Sequence, residues 1–193
     1  MPASPRATVV GVGAAVLIVF GIFLAPIAVL TGYFGSISQR ESVVRQTTAV
    51  IESQREYGVS EDAIRPPEPV LMDGADVVLY PVTGEATAFT QLDIPLHRQP
   101  RELLVYVGGT DANRTSLSAA DLLSEDSADR FRTIEEVIGG GSIGIPVAFA
   151  DGTVWMLQPT TPCRELAPFL RRDTMALAKR ENQLRPFRMR DMR

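Results

Sequence analysis

Residues 7–39, ATVVGVGAAVLIVFGIFLAPIAVLTGYFGSISQ, carry no charge and are bracketed by Arg6 and Arg40. Taken as a helix at about 1.5 Å per residue, the run reaches roughly 50 Å, more than the roughly 30 Å hydrocarbon core of a bilayer. It predicts one membrane-spanning helix over 7–36 behind a short tail at 1–6, with Tyr33 and Phe34 at the interface where the helix leaves. No other stretch of the 193 residues is apolar for long enough to cross again, so the expected architecture is one anchor carrying one exposed domain. The start does not read as a cleavable signal, because the apolar run is too long and no small-residue cleavage site ends it. Arg6 on one side and Arg40 and Arg45 on the other leave the positive-inside count undecided. A short N-terminal segment, one span and a large C-terminal domain favour a cytoplasmic N-terminus and an extracytoplasmic domain.

Small residues recur along the span at Gly11, Ala14, Gly21, Ala25, Ala28 and Gly32, in steps of 3, 7, 4, 3 and 4 that follow a heptad seam. Lipid supplies little hydrophobic drive between helices, so close backbone approach must supply it, and a seam of small residues permits that approach. The expectation is a partner-helix contact, with an ordinary lipid-facing span as the plainer alternative and a bend at Pro26.

Working outward, residues 37–58 read as a juxtamembrane stalk helix. Ile37, Val44 and Ile51 recur every seven residues, and Val43, Val50 and Tyr57 form a parallel row. This stripe either packs on the chain's own domain or lies against another subunit, continuing the seam of the span. A Pro-rich linker follows at 59–75, where RPPEP cannot stay helical.

Residues 76–160 predict an α+β domain with about five strands. DVVLYPV (76–82), ATAFTQLDI (86–94) and ELLVYVGG (102–109) are rich in Val, Thr and aromatics, and SIGIPVAFA and TVWMLQP are two more strands joined at the hairpin signal Asp151-Gly152. TSLSAADLLS and the stretch 127–138 read as helices, the second with Phe131, Ile134 and Val137 on one face and the glycines at 139–141 as its stop. A C-terminal helix over 161–182 presents Leu166, Phe169, Leu170, Met175 and Leu177, and a basic tail at 183–193 contains Arg185, Arg188, Arg190 and Arg193.

Charge separates along the chain. Residues 40–163 hold nine basic against nineteen acidic residues, a net of −10, whereas 164–193 hold nine against four, a net of +5. An acidic body thus ends in a basic segment, read either as two solvated surfaces or as a tail that docks on anionic headgroups or an acidic partner. An acidic body is the wrong sign for nucleic acid. Lys179 is the only lysine among 19 basic residues, a bias that fits a GC-rich bacterial genome of the actinobacterial kind.

Chemistry-bearing residues are few. With His97 the only histidine and Cys163 the only cysteine, no intrachain disulfide can form and a zinc site of nitrogen and sulfur ligands is not expected. His97 lies in a Pro-flanked loop, IPLHRQP, and no nucleophile motif accompanies it. GGGSIG at 139–144 lacks the Lys-Ser/Thr ending of a phosphate loop and reads as a flexible connector. The acidic pairs Glu61-Asp62, Glu125-Asp126 and Glu135-Glu136 do not have the spacing of a calcium loop and read as solvated surface. Trp155, the only tryptophan, reads as a core or interface anchor. No catalytic residue, cofactor or metal is expected.

The stretch GVGAAVLIVFGIFLAPIAVLTGYFG, the Arg-rich and Lys-poor chain and the small outer domain together resemble the single-span accessory subunits of actinobacterial membrane complexes, such as the respiratory supercomplex of cytochrome bcc reductase and terminal oxidase. That resemblance implies a non-catalytic subunit of the cell membrane, whose partners are membrane lipids and other integral subunits. A membrane-tethered cell-envelope sensor or ligand-binding module is the alternative, and an anchored hydrolase has the least support in the residues.

Overall fold

In the computed structural model the described residues are 34–54, 67–90, 94–124, 132–174 and 179–189. The chain divides into two compact units, Met1–Ser38 and Gln39–Arg193. The expected span at 7–36 lies outside the described residues except for its last three, as do its small-residue seam, Tyr57, Phe131, Met175, Leu177, Arg190 and Arg193. No helix among the described residues is long and apolar enough to cross a membrane.

Residues 34–54 form one helix, α1. Its fully buried row is Val43, Thr47 and Ile51, spaced by four because a straight helix returns to the same face after 3.6 residues. Glu41, Arg45, Ala49 and Glu52 are exposed on the opposite side. Of the expected seven-residue row Ile37, Val44 and Ile51, only Ile51 is fully buried, and Val44 is half-buried beside the true seam. The helix packs this row on its own sheet, so the buried positions follow the 3.6-residue period of a straight helix. From Gln39 onward α1 therefore shares its unit with the sheet, rather than forming a stalk apart from it.

The fold class is α+β, with six strands among the described residues where the sequence suggested about five. These are β1 (Val70–Leu71), β2 (Val78–Thr83), β3 (Leu104–Gly109), β4 (Leu117–Ser118), β5 (Ile145–Phe149) and β6 (Val154–Leu157). The main path runs β1-β2-β3-β5-β6, antiparallel throughout, and β4 pairs in parallel with the end of β2. Alternation along each strand sorts the side chains to two faces. Val78, Tyr80, Val82, Ile145, Val147 and Phe149 join one core with α2 (Ala119–Leu123), α3 (Ile134–Ile138) and α4 (Ala167–Leu170). Leu79, Val105, Tyr106 and Ala148 join the other, beneath Val43 and Ile51 of α1. An irregularity between Leu104 and Tyr106 resets the alternation of β3. Helices or loops cover both faces, which is why the strands read as nearly continuous apolar runs.

Local chemistry accounts for several boundaries. Ser118 caps α2 by accepting from the Asp121 N–H at 3.1 Å, while the Asp121 carboxylate accepts from the Ser118 N–H at 2.9 Å. Gly139 ends α3 at φ +74, and the β5–β6 hairpin turns at Gly152 with φ +90, both as the sequence suggested.

Two expected elements differ. Residues 86–90 form turns, not a strand. Thr87 donates its hydroxyl to the Gly84 carbonyl at 2.8 Å, Thr90 donates to the same carbonyl, and Thr90 Oγ1 accepts the Thr87 N–H at 3.0 Å, so threonine hydroxyls fold the backbone back on itself. Among the described residues the expected C-terminal helix is replaced by Cys163–Glu165, α4 and α5 (Arg180–Gln183), of which the first is a 3₁₀ turn. After α4 the chain turns extended at Arg171, and Arg172 bonds to that same turn through N–H to Ala86 O at 2.9 Å and Nη2 to Thr87 O at 2.8 Å.

Candidate interaction surfaces

Two loops clamp α1 at Arg40 and Gln46. Arg40 Nε donates to the Ile143 carbonyl at 2.9 Å. Gln46 engages the backbone of Asp73 in both directions, with Nε2 donating to Asp73 O and Oε1 accepting from Asp73 N–H, each at 2.9 Å. The β1–β2 turn closes with Met72 N–H to Val77 O at 2.9 Å. An open cleft of about 570 Å³ lies between these loops and is lined by Gln39, Leu71, Asp73, Asp76, Thr110 and Ser142, among others. Leu71 is 67 % exposed; among the described residues it and Phe34 are the large apolar side chains left open to solvent.

The glycine loop at 139–144 is a close-packed part of this collar rather than the flexible connector its composition suggested. Gly144 has φ +97, and a Cβ there would meet Met189 Sδ and approach the Leu157 carbonyl to 3.0 Å. A Cβ on Gly140 would come within 2.7 Å of Glu135 Cβ. Glycine is needed here for approach and backbone sign, not for looseness.

The second surface is the C-terminal segment. Arg188 forms an antiparallel bridge with Leu157; beside it Met189 N–H donates to Met156 O at 2.7 Å and Gln158 N–H to Phe187 O at 2.9 Å. Residues 187–189 thereby cover the edge of β6, which would otherwise present unpaired backbone groups. Arg180 is the main fastening. Its guanidinium donates to both Asp151 carboxylate oxygens, with Nη1 3.2 Å from Oδ1, and to Thr153 Oγ1 at 2.5 Å, while Nε lies 3.3 Å from Glu102 Oε2. The same group lies 4.6 Å from the Phe149 ring centroid and 5.7 Å from that of Trp155. Arg188 lies 4.8 Å from the Trp155 ring, so the single tryptophan has the guanidinium groups of Arg180 and Arg188 beside it. Burial would raise the Asp151 carboxyl, but the bonds from Arg180 and Thr153 and the charge of Arg180 outweigh it and hold the group below the ordinary carboxylate range.

Of the tail arginines singled out in the sequence, Arg185 is exposed and lines a shallow cleft of about 690 Å³ with Gln158, Glu181, Asn182 and Arg188. Arg188 is half-buried against Trp155, which is itself a core residue. The structure thus docks much of the expected tail onto the sheet. Gln46, Leu71 and Arg180 carry these surfaces and did not stand out in the sequence, since each gains its role from residues far along the chain.

His97 is exposed on a 3₁₀ turn, Leu96–Arg98. Cys163 is buried, and its thiol is pushed up to about 11 by burial, with Arg132 opposing and Glu136 reinforcing the shift. Such a thiol is protonated at neutral pH and a poor nucleophile. Glu136 accepts the Thr133 N–H at 2.7 Å, so one of the paired acids serves as a helix cap. Among the described residues no cluster of three or more His, Cys, Asp or Glu side chains could hold a metal ion. Comparison of the chain with family models, with curated proteins and with solved structures finds no match.

Proposed function

We propose that this chain is a non-catalytic, single-span accessory or assembly subunit that docks on a larger bacterial membrane complex, with respiratory supercomplexes the first class to examine. In this reading residues 7–36 cross the membrane, the N-terminus is cytoplasmic and the α+β domain is extracytoplasmic. The partners are lipids and other integral subunits, and the small-residue seam from Gly11 to Gly32 is the helix contact. The observation that supports it best is the mounting of α1. The helix that follows the uncharged run is a core element of the domain from Val43 onward and is gripped at Arg40 and Gln46. A docking subunit needs a folded body that begins close behind its span, and the compact unit here begins at Gln39.

Solubilisation in mild detergent, size-exclusion chromatography and mass spectrometry of the co-migrating proteins form the test. The chain is expected to migrate with a much larger complex, and substituting Gly21, Ala25 and Ala28 by Leu is expected to release it. A lone 21.0 kDa species would reject the reading. The cleft beside Arg185 and Arg188 favours a second reading, a tethered module that binds an anionic wall polymer. That reading requires the isolated protein to bind wall material.

A further inference from the structure

We propose that the cleft beside the C-terminal segment binds an anionic, hydroxyl-rich polymer, with Arg185 and Arg188 taking its negative group and Gln158, Asn182 and Glu181 its hydroxyls. This inference rests on the second reading above, a module for an anionic wall polymer, and names the site and the kind of repeat it takes.

The lining sets the chemistry of the ligand. Gln158, Glu181, Asn182, Arg185, Pro186 and Arg188 surround about 690 Å³, a volume within the roughly 300–1,000 Å³ of small-ligand sites. Such sites are mostly apolar, but here only Pro186 is, so an apolar ligand would leave the other groups without partners. Two guanidinium groups, two carboxamides and one carboxylate offer many N–H donors and a few acceptors. A carboxylate or phosphodiester accepts from a guanidinium through two oxygens at once, and hydroxyls, which both donate and accept, suit the carboxamides and Glu181. Those two requirements together describe a charged polyol.

Arg185 stands apart from its neighbours in charge. Arg180 is neutralised by Asp151 and Glu102, and Arg171 by Asp173. Arg185 is exposed, and among the described residues its guanidinium makes no hydrogen bond or ion pair. The backbone beneath the cleft is fixed: Gln158 N–H donates to Phe187 O at 2.9 Å, Leu184 N–H to Arg180 O at 2.8 Å and Arg188 N–H to Leu184 O at 3.0 Å. The Arg188 guanidinium is placed by the Trp155 ring, 4.8 Å away. A site held in this way loses less freedom on binding. Bulk attraction does not drive the contact, because the whole chain has a net charge of −4 and repels polyanions; retention has to come from a local site. The cleft is shallow, so one repeat binds weakly and a polymer with many repeats gains by avidity.

The full-length protein in mild detergent is immobilised on a sensor surface and exposed to polygalacturonate and to poly(glycerol phosphate), with neutral dextran, polyglutamate and single-stranded RNA as controls. Binding of one or both of the first two, and not of the controls, is the expected result. Polygalacturonate alone assigns a carboxylate as the negative group, and poly(glycerol phosphate) alone a phosphodiester. Arg185→Gln should weaken binding about tenfold and Asn182→Ala several-fold. Arg98→Gln removes the same charge from an exposed turn outside the cleft and should leave binding unchanged. Trp155 emission identical to the parent verifies folding of each variant. Equal binding of polyglutamate or RNA would mean plain charge attraction and overturn the proposal. Binding unaltered in both Arg185→Gln and Asn182→Ala would place the polymer elsewhere, overturning this site while leaving the second reading intact. Retention on isolated cell wall without binding to either polymer would have the same consequence. Failure to bind the polymers and the wall alike would reject the second reading, and the inference with it.

Discussion

Replacing Arg180 by Ala removes the fastening of the C-terminal segment in one step. The Arg180 side chain is 12 % exposed and its partners Asp151 and Glu102 are 18 % and 32 % exposed, so the cluster lies between a buried ion pair and a surface one. Breaking a fully buried pair from one side costs about 3–5 kcal/mol, because a charge is left behind without compensation. An exposed pair is worth about 0–1 kcal/mol. An intermediate value of about 2 kcal/mol, with roughly 0.5–1 kcal/mol for the guanidinium over Phe149 and Trp155, gives a loss of about 3 kcal/mol for Arg180→Ala.

The loss must depend on pH with a definite sign. The folded Asp151 carboxyl is held below its ordinary value. Its contribution is therefore present in full above the unfolded pKa of about 3.9 and disappears as pH falls through the lower folded value. The stability gap between parent and variant should hold near pH 7 and narrow below about pH 4. Urea unfolding of the full chain in detergent, followed by emission of Trp155, measures both. Because the fluorophore lies 5.7 Å from the lost guanidinium, its folded-state emission should change as well. A double-mutant cycle with Asp151→Asn isolates the pair. A loss below about 0.5 kcal/mol, or a gap unchanged from pH 7 to pH 3, would refute the reasoning.

The packing of α1 and the core cysteine give two further tests. Thr47 is fully buried on the sheet-facing row, and its hydroxyl has no hydrogen-bond partner among the described residues, so Thr47→Val, of similar shape, should raise stability by about 1 kcal/mol in thermal unfolding; a lower melting temperature would show that the hydroxyl is paired. The Cys163 thiol, buried and pushed up to about 11, should resist maleimide at pH 7.5 in the folded protein and react fully after addition of denaturant. Rapid labelling of the native chain would disprove its burial.

How far the fold is legible in the sequence differs from one element to the next, and the pattern has a physical basis. The apolar runs of β2, β3, β5 and β6, the turn at Asp151-Gly152 and the glycine stop after α3 all rest on interactions between residues close in sequence: hydropathy, alternation and the backbone freedom of glycine. Those readings need no knowledge of neighbours in space. For the helix that becomes α1 the amphipathic character is plain, but the choice between rows at seven and at four is not, because it depends on whether a helix or a sheet lies beneath. Val43, Thr47 and Ile51 answer that question only once the sheet is present.

The remaining features belong to tertiary structure. Arg40 meets a carbonyl 103 residues away, and Arg172 meets one 85 residues away. No local pattern marks either pairing. The second ends the C-terminal helix after α4 and braces the turn at 86–90, where the sequence suggested a strand. The arginines of the basic segment look alike in the sequence, yet Arg180 is a half-enclosed clamp, Arg188 packs over Trp155 and Arg185 remains exposed. By itself the sequence determined that an uncharged run precedes an acidic α+β domain with a basic end. Only the tertiary structure decided which of those charges hold the molecule together and which face outward, because the value of a charge depends on the partners and the water around it.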